Sequence, residues 1–305
     1  MRFQRFAGFV VVYNLAVILF GAWVRITGSG AGCGEHWPTC NGDVIPRAPA
    51  LKTIIEYTHR TTSGLCLVFA IVLVAWAYKA FSKGHAVRKA SVTVLVFVLL
   101  EAAVGAGLVR FGLVDKDESV ARAVVIAFHL LNTLGLLAAG GLATYFSAFT
   151  IGERQILAPE KKLLFGGVIA ILLTSATGAV TALGDTLFPV AASQPAIERW
   201  NDLSQGAHFL IRLRIVHPVI AIGAAVYIFL VARLSGLRAN DAYAKNTAKV
   251  LGGMVQAQIL VGFANVTLKA PGYMQIVHLF VANVTWLVLV TLIATRFWPA
   301  KPTQN

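Results

Sequence analysis

Residues 121–149 read ARAVVIAFHLLNTLGLLAAGGLATYFSAF: beyond Arg122 the run holds no charged side chain, and one histidine, His129, sits near its start. A run this apolar and this long is sufficient to cross about 30 Å of hydrocarbon as a helix. An ionisable ring inside such a helix is costly and marks function. Seven further runs of the same kind fall near residues 6–26, 55–80, 90–110, 162–183, 209–233, 247–268 and 273–297. The expected fold is therefore an all-α integral membrane protein of eight transmembrane helices. Connections are short except for two polar loops, 27–54 and 184–208.

Composition agrees with this reading. Of 305 residues, 57% are hydrophobic and 13% charged, against about a quarter charged in soluble domains. The net charge of +13 does not point to nucleic acid, because no block of basic residues mixed with aromatics occurs. The charge follows topology instead. Fifteen Lys and Arg, among them Arg2, Lys83, Arg154, Lys162, Arg238 and Lys301, share one side with three acids, Glu153, Glu160 and Asp241. The positive-inside rule then places both termini in the cytoplasm and both long loops outside. Five residues precede the first run, too few for a cleavable signal or transit peptide. The expected location is a bacterial plasma membrane, with a multi-pass topology and the bilayer as surroundings.

The eight runs divide into two related sets of four. Gly21-Ala22 is matched by Gly178-Ala179, and Glu101-Ala102-Ala103-Val104-Gly105 by Gln258-Ile259-Leu260-Val261-Gly262. Both matches are offset by 157 residues, and His59 and His217 by 158. The expected organisation is two pseudo-symmetric four-helix bundles, 1–152 and 153–305. An even number of spans per half makes the repeat parallel, about an axis along the membrane normal.

Four of the seven histidines, His59, His129, His217 and His278, lie in the even-numbered spans. Each falls about four to nine residues past the estimated outer end of its span, so all four sit at similar depth at about 1.5 Å per residue. Two imidazoles per bundle suit axial ligation of a haem iron, because bundle cores commonly house cofactors. A lone intramembrane histidine can equally bond a neighbouring helix, but four in a repeated pattern favour ligation. Zinc suits the pattern less, since no carboxylate or cysteine completes a ligand set in both halves.

The halves differ beside the histidines. Glu56 lies one helical turn before His59, whereas Arg214 holds that place before His217. A carboxylate there can accept a proton or stabilise positive charge, and an arginine suits a propionate. The plain alternative is a salt bridge between Glu56 and Arg60. Cys33 and Cys40, in the first outer loop, can form a disulfide outside the cytoplasm, either as a staple or as a redox-active pair. Cys66 reads as a packing residue. His36, His85 and His208 read as loop residues. Glu101, in mid-span, could serve a proton path or bond another helix. Arg25, Arg60, Arg110, Arg122, Arg212 and Arg214, near outer ends, are candidates for propionates or interfacial anchors.

Taken together, GAWVRITGSGAGC (21–33), WPTC (37–40) and EYTHR (56–60) resemble the signatures of the heme A synthase family, and the likeness runs through the later histidines. The resemblance implies an oxidoreductase that converts the C8 methyl of heme O to a formyl group through an alcohol. It implies that His59 and His129 hold the substrate haem, that Glu56 is catalytic, and that His217 and His278 ligate a resident heme b. Loop 27–54 would then belong to the substrate half and loop 184–208 to the heme b half. Heme O synthase and cytochrome oxidase assembly proteins are the implied partners. Loop 184–208 lacks the second cysteine pair that some relatives carry. Three other readings compete. They are a diheme cytochrome b that passes electrons from quinol, a non-catalytic haem delivery factor and, last, a secondary transporter.

Overall fold

In the computed structural model, residues 2–152, 156–190 and 206–300 are described. Loop residues 191–205 and the charges at Glu153, Arg154 and Lys301 fall outside them. The described residues form eight α-helices: α1 (Arg2–Ile26), α2 (Leu51–Ala80), α3 (Ala86–Arg110), α4 (Val120–Ala148), α5 (Ala158–Leu187), α6 (Phe209–Leu237), α7 (Ala242–Thr267) and α8 (Gly272–Phe297). All eight are long and apolar enough to cross a membrane.

The helices begin up to five residues before the apolar runs do. At the starts of α3, α4, α6 and α7 a side chain caps the first turn. Ser119 accepts from the Arg122 N–H, and Asp241 from the Ala244 N–H. His85 and His208 act in the same way, each taking a backbone N–H two residues on through Nδ1. Two of the histidines read as loop residues therefore cap helices.

Helices α1–α4 pack around one another, as do α5–α8. The first group is cored by Leu73, Val87, Val94 and Leu136, the second by Leu164, Val231, Leu251 and Leu289. Large apolar side chains such as Phe165, Val219, Ile222 and Phe263 remain exposed on the outer faces, the arrangement expected against lipid tails. Small residues permit close helix contacts: a Cβ on Gly140 would come within 2.8 Å of Val11, and Gly135 faces the Phe97 ring.

Helices α4 and α8 are the most enclosed of the eight, and they touch each other. Trp286 on α8 donates its indole N–H to the Leu134 carbonyl of α4 at 2.7 Å. Arg25, at the end of α1, bonds the Ala182 carbonyl and Thr186 of α5 and Gln275 of α8. On the opposite side, Arg296 of α8 meets Glu160 of α5 at 2.6 Å, both deeply buried.

Candidate functional site

The four span histidines begin six to nine residues inside their helices. At about 1.5 Å per residue, that spread is less than one helical turn, a tighter match in depth than the apolar runs alone suggest. A glycine of a neighbouring helix faces three of the rings. A Cβ on Gly21 would lie 3.1 Å from His59 Cε1, one on Gly178 3.0 Å from His217 Cε1, and one on Gly262 3.1 Å from His278 Cε1. These glycines let the rings approach the neighbouring helix more closely than a side chain would allow. The exception is Gly105, with nothing within 4 Å, because His129 turns to Glu101 instead, with Nδ1 2.6 Å from Oε2.

His217 and His278 face each other with ring centres 6.4 Å apart and planes at 89°. Two iron–nitrogen bonds of about 2 Å, plus about 1 Å from each nitrogen to its ring centre, span about 6 Å. This pair thus fits a bis-histidine haem, and Thr177 holds the second nitrogen of His217 at 3.2 Å. Among the described residues only this pair of span histidines is in ring contact. His59 packs edge-on against Phe20, and its Nδ1 is buried with no hydrogen-bond partner. That is a polar atom waiting for one, as a histidine in a ligand site would be. Pro218, directly after His217, lies inside α6 and removes an N–H that would otherwise bond the Arg214 carbonyl.

Glu56 is only 3% exposed, and three donors converge on it. Its Oε2 accepts the Cys33 backbone N–H at 2.8 Å, and its Oε1 accepts Arg60 Nε at 3.1 Å and Nη2 at 2.5 Å. Arg60 in turn donates through Nη1 to the His36 and Thr39 carbonyls, at 2.5 and 2.7 Å. Cys33 and Cys40 are disulfide-bonded, and Asn41 N–H closes the loop onto the Cys33 carbonyl. Loop 27–50 is thereby clasped to α2 at two points beside His59. The salt bridge weighed against a catalytic role for Glu56 does form, but the carboxylate also reaches the loop backbone.

Sequence reasoning missed how Gly32 makes this possible. A Cβ there would lie 2.5 Å from the Lys52 carbonyl oxygen, while the Gly32 carbonyl accepts Thr53 Oγ1 at 2.7 Å. The loop can lie on the first turn of α2 only because position 32 has no side chain. The one available signal was the glycine's place immediately before Cys33.

Most of the arginines considered for propionates are committed to protein. Arg214 bridges to Asp185 at 2.9 Å and donates to the Gly184 and Phe188 carbonyls at the end of α5. Arg122 donates to the Asp115 and Asp117 carbonyls, Arg212 to Ala207, and Arg25 to α5 and α8. Cys66 is a buried free thiol in the first core.

A family model described as Cytochrome oxidase assembly protein (COX15-CtaA) matches residues 4–290. The chain belongs to this family. Relatives of this chain include a protoheme IX farnesyltransferase of Thermus thermophilus, 45% identical over 295 residues, or 95% of this chain and 48% of that protein. A heme A synthase of Alkalihalophilus pseudofirmus is 38% identical over 160 residues, 52% of this chain and 51% of the relative. A heme A synthase of Halalkalibacterium halodurans is 34% identical over 213 residues, 65% of this chain and 66% of the relative. The chain spans about half the length of the Thermus relatives it matches.

Proposed function

We propose that this family member is a heme A synthase, an oxidoreductase that converts the C8 methyl of heme O to a formyl group through an alcohol. In this reading residues 1–152 form the substrate half, with His59 and His129 holding heme O, and residues 153–305 form a half in which His217 and His278 hold a resident heme b. The names of the Alkalihalophilus and Halalkalibacterium relatives support the activity. The Thermus relative is named for farnesyl transfer to protoheme and extends well beyond the matched part. That supports a farnesylated haem as what the matched part handles, and a heme O synthase as partner. The family description supports cytochrome oxidase assembly proteins as further partners.

The observation that carries the reading is the asymmetry beside the paired histidines. Glu56 stands one turn from His59 with its two oxygens fixed by Cys33 and Arg60, whereas Arg214 in the other half is spent on the end of α5. A buried carboxylate with fixed acceptor directions can position a water or take a proton from the methyl carbon's oxidation product without reorganising. The clasped outer loop keeps bulk water from that carboxylate. The iron supplies the oxidising chemistry when haem is bound. A second haem site in the same chain offers a place for the released electrons.

The same reading puts the protein in a bacterial plasma membrane, with both termini in the cytoplasm and loops 27–54 and 184–208 outside, an orientation that the distribution of Lys and Arg supports. The test is chromatography of haems extracted from cells making heme O, with and without this protein. Heme A, or its alcohol precursor, is expected only with the protein. Bound heme b with heme O untouched, in cells containing folded protein, would instead establish a diheme electron carrier or a haem delivery factor.

A further inference from the structure

The two halves also differ in what stands behind their second histidine. In the first half, Glu101 of α3 places Oε2 2.6 Å from His129 Nδ1. Its Oε1 accepts Asn132 Nδ2 at 2.5 Å and Thr133 Oγ1 at 3.2 Å. His129, Asn132 and Thr133 occupy positions i, i+3 and i+4 of α4, so one face of that helix brings two hydrogen-bond donors and, in close approach, the His129 ring to a single carboxylate. In the second half the corresponding residue on α7 is Gln258. Its amide nitrogen lies 3.4 Å from Nδ1 and 3.2 Å from Nε2 of His278. The residues three and four positions after His278, Val281 and Ala282, bring no donor.

A carboxylate that accepts the Nδ1–H of a ligating histidine fixes its tautomer, orients the ring and raises its basicity as a ligand. A neutral amide orients the ring without adding charge. Hydrogen bonding behind the ligand and nearby charge are two of the levers by which a protein sets a haem potential. Asn132 and Thr133 hold the other carboxylate oxygen, so Glu101 cannot turn away from His129 without losing two bonds.

We propose that Glu101 is a positioning residue for the substrate haem: it commits His129 to bind iron through Nε2, makes it the more strongly donating of the two second-position histidines, and so sets the substrate-half haem at a lower reduction potential than it would have with a neutral partner. This rests on the reading that His129 and His278 are iron ligands, one in each half. Sequence position alone left Glu101 between a proton path and a helix contact. The 2.6 Å approach of its carboxylate to His129 Nδ1, with the other oxygen held by Asn132 and Thr133, assigns it to the histidine.

The experiment is a spectroscopic measurement of both haem potentials in the full chain, purified from cells making heme O. His129→Ala and His278→Ala identify the two signals, each silencing one. If neither variant loses a low-spin haem signal, the ligand reading fails and the Glu101 inference with it. With ligation established, Glu101→Gln is expected to raise the substrate-half potential alone. The reduced-to-oxidised ratio at the original midpoint should shift about tenfold, or 59 mV for a one-electron couple. Glu101→Asp should restore part of the shift. Gln258→Glu should lower the second-half potential in the opposite sense. Glu101→Gln protein with both haems bound and its potentials unmoved overturns the proposal. If Glu101→Gln does not accumulate as folded protein, Gln258→Glu decides: an unmoved second-half potential overturns the proposal, and a lowered one supports it.

Discussion

The backbone N–H of Cys33 donates to Glu56 Oε2 at 2.8 Å, so the disulfide-closed loop between α1 and α2 and the carboxylate beside His59 are one hydrogen-bonded unit. Because the donor is backbone, the bond depends on where the loop runs and not on the chemistry of the cysteine side chain. Arg60 completes the unit from α2, holding the other carboxylate oxygen and two loop carbonyls. Several consequences of this arrangement can be measured.

Replacing Glu56 with Gln removes the charge but preserves the shape of the side chain. The bis-histidine haem spectrum is expected to persist while product formation falls by about 10²-fold or more, the usual contribution of a positioned acid or base. Spectra of the purified variant and chromatography of its extracted haems check both halves of the statement. Near-normal product would remove Glu56 from the mechanism.

Gly32→Ala should separate the loop from α2. The added Cβ would meet the Lys52 carbonyl group, which is backbone and cannot swing aside, at a cost of about 1–3 kcal/mol. Haem retention in the first half should drop, and the second-half haem should be unchanged. Equal retention of both haems would show that the loop has another way to seat.

Replacing Cys33 and Cys40 together with Ser leaves the Cys33 backbone donor in place. Haem retention should fall because the loop loses its cross-link, yet enzyme that remains loaded should still turn over. Complete inactivity at normal haem loading would instead assign the thiols a chemical role.

His217→Ala and His278→Ala should each abolish the second-half haem, given the 6.4 Å facing geometry of the two rings. Haem stoichiometry by pyridine haemochrome and the low-spin absorbance report the outcome. An unchanged stoichiometry and spectrum would sink the ligand assignment.

Glu160→Ala leaves Arg296 charged and buried, 1% exposed, without the partner it has among the described residues. Breaking a buried pair from one side typically costs about 3–5 kcal/mol. A lowered thermal midpoint in detergent, with haem spectra intact below it, is the expected result, and an unmoved midpoint would contradict it.

Much of this was legible in the chain. The eight spans follow from apolar runs because the bilayer imposes length and composition directly, and His59, His129, His217 and His278 stand out because few ionisable residues survive inside those runs. What was not legible depends on folded geometry. That Arg60 would grip both Glu56 and two loop carbonyls requires the path of residues 33–40, which no periodicity encodes. Arg25 looked like an anchor at the end of a span, yet it reaches Thr186 and Gln275, partners far away in sequence. Glu101 and His129 belong to different helices, and only the rotation of α3 against α4 reveals that they meet. His85 and His208 were placed in loops because their capping role shows only once the helix starts are known.

The contact between α4 and α8 has a bearing on how the halves communicate. Each of these helices carries one of the four histidines, and the Trp286 indole is hydrogen-bonded to α4 five residues beyond His129. A displacement of His129 therefore has a short, rigid mechanical route to the helix bearing His278, through one packed helix pair and without passing through a loop. The two histidine-bearing helices are thereby fastened side by side, so the halves meet along a direct seam of helix against helix.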